Sequence, residues 1–199
     1  MSPQQRSRET RERILAAAQS CFSQHGYDAT GVAEICRRAG VSKGAFYHHF
    51  PSKQALFLEL FDRWLAGLDA QLLALQEAAP SVPEGLVAMA EMAERLFQQA
   101  RGQLPLFLEF WTKAVHDPVV WRTLIAPYRR YREFFAQMVR QGVEEGSLKP
   151  VDPEAAALAI VSMAVGLFLQ RVLESDDHDL GSTMRASFLL LVQGLERKG

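Results

Sequence analysis

Apolar positions recur at intervals of three and four residues along almost the whole chain, and no segment shows the strict alternation of a half-buried strand. The first stripe, Ile14, Ala17, Ala18, Cys21 and Phe22, predicts a helix over residues 7–25 with Gly26 as its left-handed cap. Two short helical segments follow, over 30–39 and 42–49. Phe50-Pro51 then forces an extended residue before a long helix over 52–77, which Ala-Ala-Pro-Ser-Val-Pro ends. Further helices are predicted over 83–101, 104–116, 118–145, 152–174 and 180–197, divided by Gly102 with Pro105, by Asp117-Pro118, and by the polar stretches 146–153 and 175–181. The expected fold is all-α, with about nine helices. A head over 1–52 joins a body over 53–199, and the boundary falls inside one continuous helix, which would couple the two mechanically.

Residues 30–50, TGVAEICRRAGVSKGAFYHHF, carry a helix-turn-helix pattern. Val32, Ile35 and Cys36 turn inward from the first helix, and Gly40 suits a backbone reversing with positive φ. Ser42 is a good N-cap for the second helix, which Phe46 and Phe50 anchor one turn apart. The opposite face offers Lys43, Gly44, Ala45, Tyr47 and His48, and no acidic residue occurs from Ser42 through Lys53. A carboxylate there would repel phosphate, so this face suits a helix lying in a major groove. Gly44 and Ala45 permit close approach to base edges, and the Tyr47 hydroxyl can donate to a phosphate. Thr30 and Lys53, each at a helix start, can add phosphate contacts. A helical hairpin with a tidy surface is the bland alternative.

Charge sharpens this picture. The net charge of −1 over 199 residues hides a head (residues 1–53) with eight basic and four acidic side chains, and a remainder with 14 basic and 19 acidic ones. A +4 head on a −5 body points to a polyanionic partner for the head, of which nucleic acid is the commonest.

The stretch ILAAAQSCFSQHGYDATGVAEICRRAGVSKGAFYHHFPSKQALF, within residues 11–60, resembles the amino-terminal domain of the TetR family of bacterial transcriptional regulators, with GVSKGAFYHHF and the following Ser52-Lys53 as its most specific part. The resemblance implies a three-helix DNA-binding head, a fourth connecting helix, and a body that dimerises and often binds a small ligand. Family contacts to DNA fall on Thr30, Lys43, Gly44, Ala45, Tyr47, His48 and Lys53, with His49 as an additional phosphate contact. Gly31 shares that helix start, where many relatives carry Ser or Thr; glycine removes a phosphate donor. Cys36 replaces the more usual Ala and reads as a small buried core residue rather than an oxidisable sensor.

In the body, AAALAIVSMAVGLFL over 155–169 is apolar all round, so that helix needs cover on two sides: its own core and a partner subunit. Ala156, Ala159 and Gly166 permit close crossings, and the last helix adds Phe188, Leu191 and Leu195. Pairing these helices with their symmetry mates gives a four-helix dimer interface, with two recognition helices about 34–36 Å apart over a roughly palindromic site. Methionine and aromatic residues crowd the middle of the body. Met89, Met92, Phe107, Phe110, Trp111, Tyr128, Tyr131, Phe135, Met163 and Phe168 are the candidate ligand lining, with Phe97, Trp121, Phe134 and Met138 among them. The same residues also read as plain core. Glu109 and the run Arg129, Arg130, Arg132 are candidate polar selectors or solvated faces.

No catalytic constellation is visible. His48 and His49 are adjacent, about 100° apart on a helix, and cannot share a metal as an i, i+4 pair does. HExxH, GxSxG, P-loop and GxGxxG motifs are absent, and Asp176-Asp177-His178-Asp179 lacks the alternation of an EF-hand loop. No cofactor, metal or enzymatic activity is expected. The 48% hydrophobic and 23% charged composition is that of a soluble globular protein. The longest uncharged apolar run, 155–170, falls short of the roughly 20 residues of a membrane span, and no secretory signal precedes the first helix. Cys21 and Cys36 form no CxxC pair, which fits a reduced compartment. These features predict a cytoplasmic, nucleoid-associated bacterial regulator. Its expected partners are double-stranded DNA, a second copy of itself and a small apolar or amphipathic effector, with a ligand-independent DNA-organising factor as the alternative.

Overall fold

The computed structural model describes residues 2–99, 112, 114, 116–173 and 180–197. Among these, eight helices follow one another: α1 (Pro3–His25), α2 (Val32–Ala39), α3 (Lys43–His49), α4 (Lys53–Ala78), α5 (Val82–Gln99), α6 (Pro118–Glu144), α7 (Pro153–Leu173) and α8 (Leu180–Leu195). The only extended pairing among the described residues is a single antiparallel bridge between Leu148 and Glu196. Most of the helix expected over 104–116 lies outside the described residues; Thr112, Ala114 and His116 are helical.

Helix α1 begins four residues earlier than the apolar stripe predicts. Ser2 and Gln5 form a reciprocal capping box, with Gln5 N–H donating to Ser2 Oγ (3.2 Å) and Ser2 N–H to Gln5 Oε1 (2.8 Å), and Pro3 sits at the first helical position. The cap rather than burial starts this helix, because its first two turns are solvent-facing. Pro127 lies inside α6, through which the sequence pattern runs unbroken.

The chain divides into two units, one holding residues 1–67 with the described part of 105–121, the other 68–104 with the described part of 122–199. The first unit therefore takes the opening half of α4, beyond the 1–52 expected for the head. Its core is built from Ile14, Ala18, Cys21, Phe22, Ile35, Cys36, Phe46, Phe50, Leu56 and Phe57. The rings of Phe22, Tyr27 and Phe57 pack mutually, at 4.7–5.7 Å between centroids. At the surface Arg11 pairs with Glu59, and Arg63 bridges Glu12 (2.7 Å) and Glu59 (3.2 Å), tying α1 to α4.

The second unit packs α5, α6, α7 and α8 with the end of α4 around Leu72, Leu86, Met89, Met92, Met138, Val139, Leu148, Ile160, Met184, Phe188 and Val192. After α6 the chain turns back so closely that a Cβ on Gly142 would stand 2.7 Å from the Leu148 side chain, which would have to shift to admit it. Within α7 an 18-residue stretch, Pro153–Gln170, which adds Pro153 and Glu154 to the uncharged run over 155–170, is long and apolar enough to cross a membrane by length and composition alone. Of its inner face, Ala156, Ile160 and Leu167 are spent on the core of this unit, and Ala157 and Val161 are buried as well.

Candidate nucleic-acid interface

The recognition element is fixed from both ends. Gly40 adopts the left-handed conformation (φ 64°, ψ 41°) that closes α2, and Val41 N–H donates to Cys36 O (3.0 Å) across the turn. Ser42 Oγ then accepts from Ala45 N–H (3.1 Å), starting α3 one residue later. The helix stops at Phe50, extended ahead of Pro51 (φ −137°, ψ 116°). Phe46 and Phe50 are fully buried, which sets the rotation of α3 and leaves Lys43, Gly44, Tyr47 and His48 exposed, with Ala45 and His49 half-buried.

Tyr47 is 54% exposed, although its ring and that of Phe46 pack edge to face with centroids 5.2 Å apart. An apolar ring held this far into solvent is positioned for a partner. His48 and His49 lie edge to face at 5.1 Å. Burial, with the nearby charges of His48 and Arg11, pushes the His49 imidazole below its usual value. Burial pushes the Cys36 thiol up, against a smaller opposite pull from Lys43, so the thiolate that oxidation needs is disfavoured.

Thr30, Gly31 and Lys53 cluster at the start of α2 and behave differently from α3. The Thr30 side chain is buried and its hydroxyl donates to Gly26 O (2.7 Å), closing the loop that leads into α2. Gly31 is the exposed N-cap of α2 and supplies no side-chain hydrogen bond. Lys53 is half-buried, its Nζ donating to Tyr27 O (2.7 Å) and Thr30 O (2.9 Å). Tyr27, which sequence reasoning did not connect with this site, is the ring on which that ammonium rests. Nothing in its spacing from Lys53 signals the contact.

In the body, Met89 and Met92 are buried in the core, and Tyr128, Tyr131, Phe135, Met163 and Phe168 are half-buried, all but Tyr128 packed against that core. Phe107, Phe110, Trp111 and Glu109 lie outside the described residues, as do Asp176 through Asp179. The arginine run is largely committed. Arg130 donates to Asp69 (2.7 Å), and Arg132 and Arg140 approach the Glu154 carboxylate (3.9 and 3.6 Å), whereas Arg129 is exposed. Burial, reinforced by the Asp69 carboxylate, pushes the Tyr131 phenol well above its usual value.

The residues expected at a dimer interface split between two faces. Ala156, Phe188 and Leu195 are buried in the chain's own core and Leu191 is half-buried, whereas Ala159 and Gly166 are exposed, with open space beyond Gly166. Leu158, Ala159, Ser162, Gly166 and Leu169 form one exposed stripe on α7, and Thr183, Ala186, Leu190 and Gly194 form one on α8. Leu158, Leu169 and Leu190 are 42%, 48% and 70% exposed.

Residues 14–60 match the family described as bacterial regulatory proteins, tetR family, and residues 82–187 match the BetI-type transcriptional repressor, C-terminal family. The chain belongs to the TetR family. It is 30% identical over 147 residues to the HTH-type transcriptional regulator UidR of Escherichia coli K12, covering 74% of this chain and 73% of that one. The A-factor receptor protein of Streptomyces griseus is 32% identical over 183 residues, 90% of this chain and 61% of the receptor. Among solved structures, a putative transcriptional regulator from Pseudomonas aeruginosa PAO1 superposes with a TM-score of 0.80 at 26% identity, over 98% of this chain and 91% of that one. A putative regulator from Saccharomonospora viridis in complex with choline shares the fold, with a TM-score of 0.84 at 22% identity over 96% and 99% of the two chains. As a TetR-family member, this protein is a DNA-binding transcriptional regulator, and its α2–α3 hairpin is the family's helix-turn-helix.

Proposed function

We propose that this TetR-family protein is a cytoplasmic repressor that grips a palindromic operator as a homodimer and lets go when a small apolar or amphipathic molecule enters its body. The observation that carries the DNA half is the exposed, acid-free face of α3. Lys43 supplies charge for phosphate, Gly44 and Ala45 leave room for base edges, Tyr47 and His48 supply donors, and His49 flanks them. Gly31 and the buried Thr30 contribute backbone at the start of α2, where unpaired N–H groups favour an anion.

The dimer half is supported by the α7 and α8 stripes. They are apolar, contiguous along each helix and rich in small residues, the composition of an isologous helix-on-helix contact. The effector half is supported by the half-buried aromatic and methionine residues beside the second core, with Tyr128, Tyr131, Phe135, Met163 and Phe168 as the described lining. An effector acts only through its differential affinity for two conformers; one with α4 displaced no longer matches both half-sites. A neighbour of the same fold holds choline, so a quaternary ammonium belongs in the effector screen beside fatty and aromatic amphiphiles.

Selection of genomic fragments by the purified protein at physiological salt, followed by footprinting, tests this reading. The expected result is a short palindromic footprint at a few promoters, released by one class of ligand in the screen. Broad, unselective coverage with no ligand response would instead establish a DNA-organising factor. Absence of any selection, persisting after refolding from denaturant to strip a co-purified ligand, would overturn the operator reading.

A further inference from the structure

We propose that Lys53 serves DNA binding as a positioning residue: its ammonium clamps the loop over 26–31 so that the start of α2 is aimed at the phosphate backbone, and it does not itself contact phosphate. This rests on the DNA-binding face described above and revises the part expected of Lys53 in it.

An ammonium carries three donors. Two are spent on converging carbonyls, Tyr27 O at 2.7 Å and Thr30 O at 2.9 Å, and the charge stands 4.2 Å from the centroid of the Tyr27 ring. That ring is itself immobilised, buried between Phe22 (5.3 Å) and Phe57 (4.7 Å). The clamp therefore joins the first residue of α4 to the rigid aromatic core of the head.

What it holds is the run-in to α2. The loop is drawn together a second time by Thr30 Oγ1 on Gly26 O, and it ends at Gly31, a cap with no side chain to offer. The first intrahelical bonds run from Glu34 and Ile35 N–H back to Gly31 O (3.1 and 3.2 Å), so the N–H groups of Val32 and Ala33 come before them. Their direction is set by the loop, and the loop is set by Lys53. Lys43 is the contrasting case: it is exposed on the first turn of α3, where a flexible point charge reaches outward.

The salt dependence of operator binding separates these roles, measured well below the melting temperature for the wild type and for Lys43→Met, Lys53→Met and Lys53→Arg. Lys43→Met is expected to lower the slope of log K against log salt by about one. Lys53→Met is expected to keep the wild-type slope while raising Kd about tenfold at every salt concentration. Lys53→Arg is expected to restore little, because the bulkier, rigid guanidinium fork does not reproduce a compact ammonium whose single nitrogen donates to both carbonyls. A slope lowered by about one in Lys53→Met and recovered in Lys53→Arg would make Lys53 a phosphate contact. An unchanged Kd would reduce it to a purely structural residue. Either result overturns the proposal. No slope change for Lys43→Met would sink the DNA face itself, and the clamp's purpose with it.

Reductive methylation of the wild-type protein, read by mass spectrometry, gives the same decision without any variant. Lys53 should react slowly with and without operator, and Lys43 should be protected only by operator. Fast labelling of free Lys53 that operator suppresses would refute the clamp.

Discussion

Helices α3 and α7 each turn one face to the core and one to solvent, but the two solvent faces are chemical opposites. On α3 the outer face carries Lys43, Gly44, Tyr47 and His48 and no carboxylate. On α7 it carries Leu158, Ala159, Ser162, Gly166 and Leu169, with Glu154 as its charge in the first turn. The first face remains solvated until a polyanion replaces its water and counterions. The second loses free energy for as long as it stays wet, at roughly 25 cal/mol per Å² of apolar surface. An amphipathic helix declares where its own core lies, whereas a helix apolar on both sides declares that a second apolar surface exists elsewhere. The contrast separates a face suited to an intermittent partner from one suited to a permanent partner.

The largest effect should come from converting the second face into a copy of the first. Leu169→Glu combined with Leu190→Glu places two carboxylates on the exposed stripes, at side chains that are 48% and 70% exposed. Sedimentation should show a monomer with unchanged helicity. Operator affinity should fall by more than about a hundredfold, since a single head loses the second half-site's effective concentration. A dimer that survives the double substitution would place the interface elsewhere.

The inner side of the same body can be tested at Gly142. A methyl group there would sit 2.7 Å from the Leu148 side chain and 3.0 Å from Val82. Gly142→Ala should therefore cost about 1–3 kcal/mol of stability by overpacking, read from urea unfolding, with the dimer still formed in native buffer. A neutral result would mean that the turn after α6 yields easily. On the other side of the comparison, Tyr47→Ala should leave stability within about 0.5 kcal/mol and the dimer intact, because the ring is mostly solvated. It should weaken operator binding about tenfold, roughly the worth of a phosphate-bound hydroxyl together with its ring packing. Weakened dimerisation in this variant would break the separation of the two faces.

The sequence made the head more legible than the body, and the reason is phase. In α2 and α3 a few large apolar residues alternate with polar ones, so Ile35, Phe46 and Phe50 could be placed inward from spacing alone. In α7 nearly every position is apolar, and a pattern without polar residues has no phase. Ala156 and Ala159 look alike in sequence, yet one is buried in the chain's own core and the other faces out. The start of α1 escaped for another reason: Ser2, Pro3 and Gln5 carry a capping signal and no hydrophobic one. Lys53 reads as a surface cation because the carbonyls it binds belong to Tyr27 and Thr30, more than 20 residues away, and backbone carbonyls leave no mark in a sequence.

The smallest effect is expected at Gly31, where the chain departs from the Ser or Thr of many relatives. Its backbone (φ −91°, ψ 151°) is the extended conformation that any N-cap residue adopts, and nothing lies within 4 Å of a Cβ built there. Gly31→Ser therefore meets no steric cost and adds an oxygen able to accept from the first turn of α2, for a gain of a few tenths of a kcal/mol. On DNA the outcome turns on competition. If the phosphate takes its hydrogen bonds from the backbone N–H groups of α2, a serine that caps them internally offsets the donor it adds, and operator affinity should move by less than about threefold while the melting temperature rises slightly. A large gain in affinity would show that the hydroxyl, not the backbone, is the better phosphate ligand at this helix start. The exposed glycine would then mark a weakened grip on DNA.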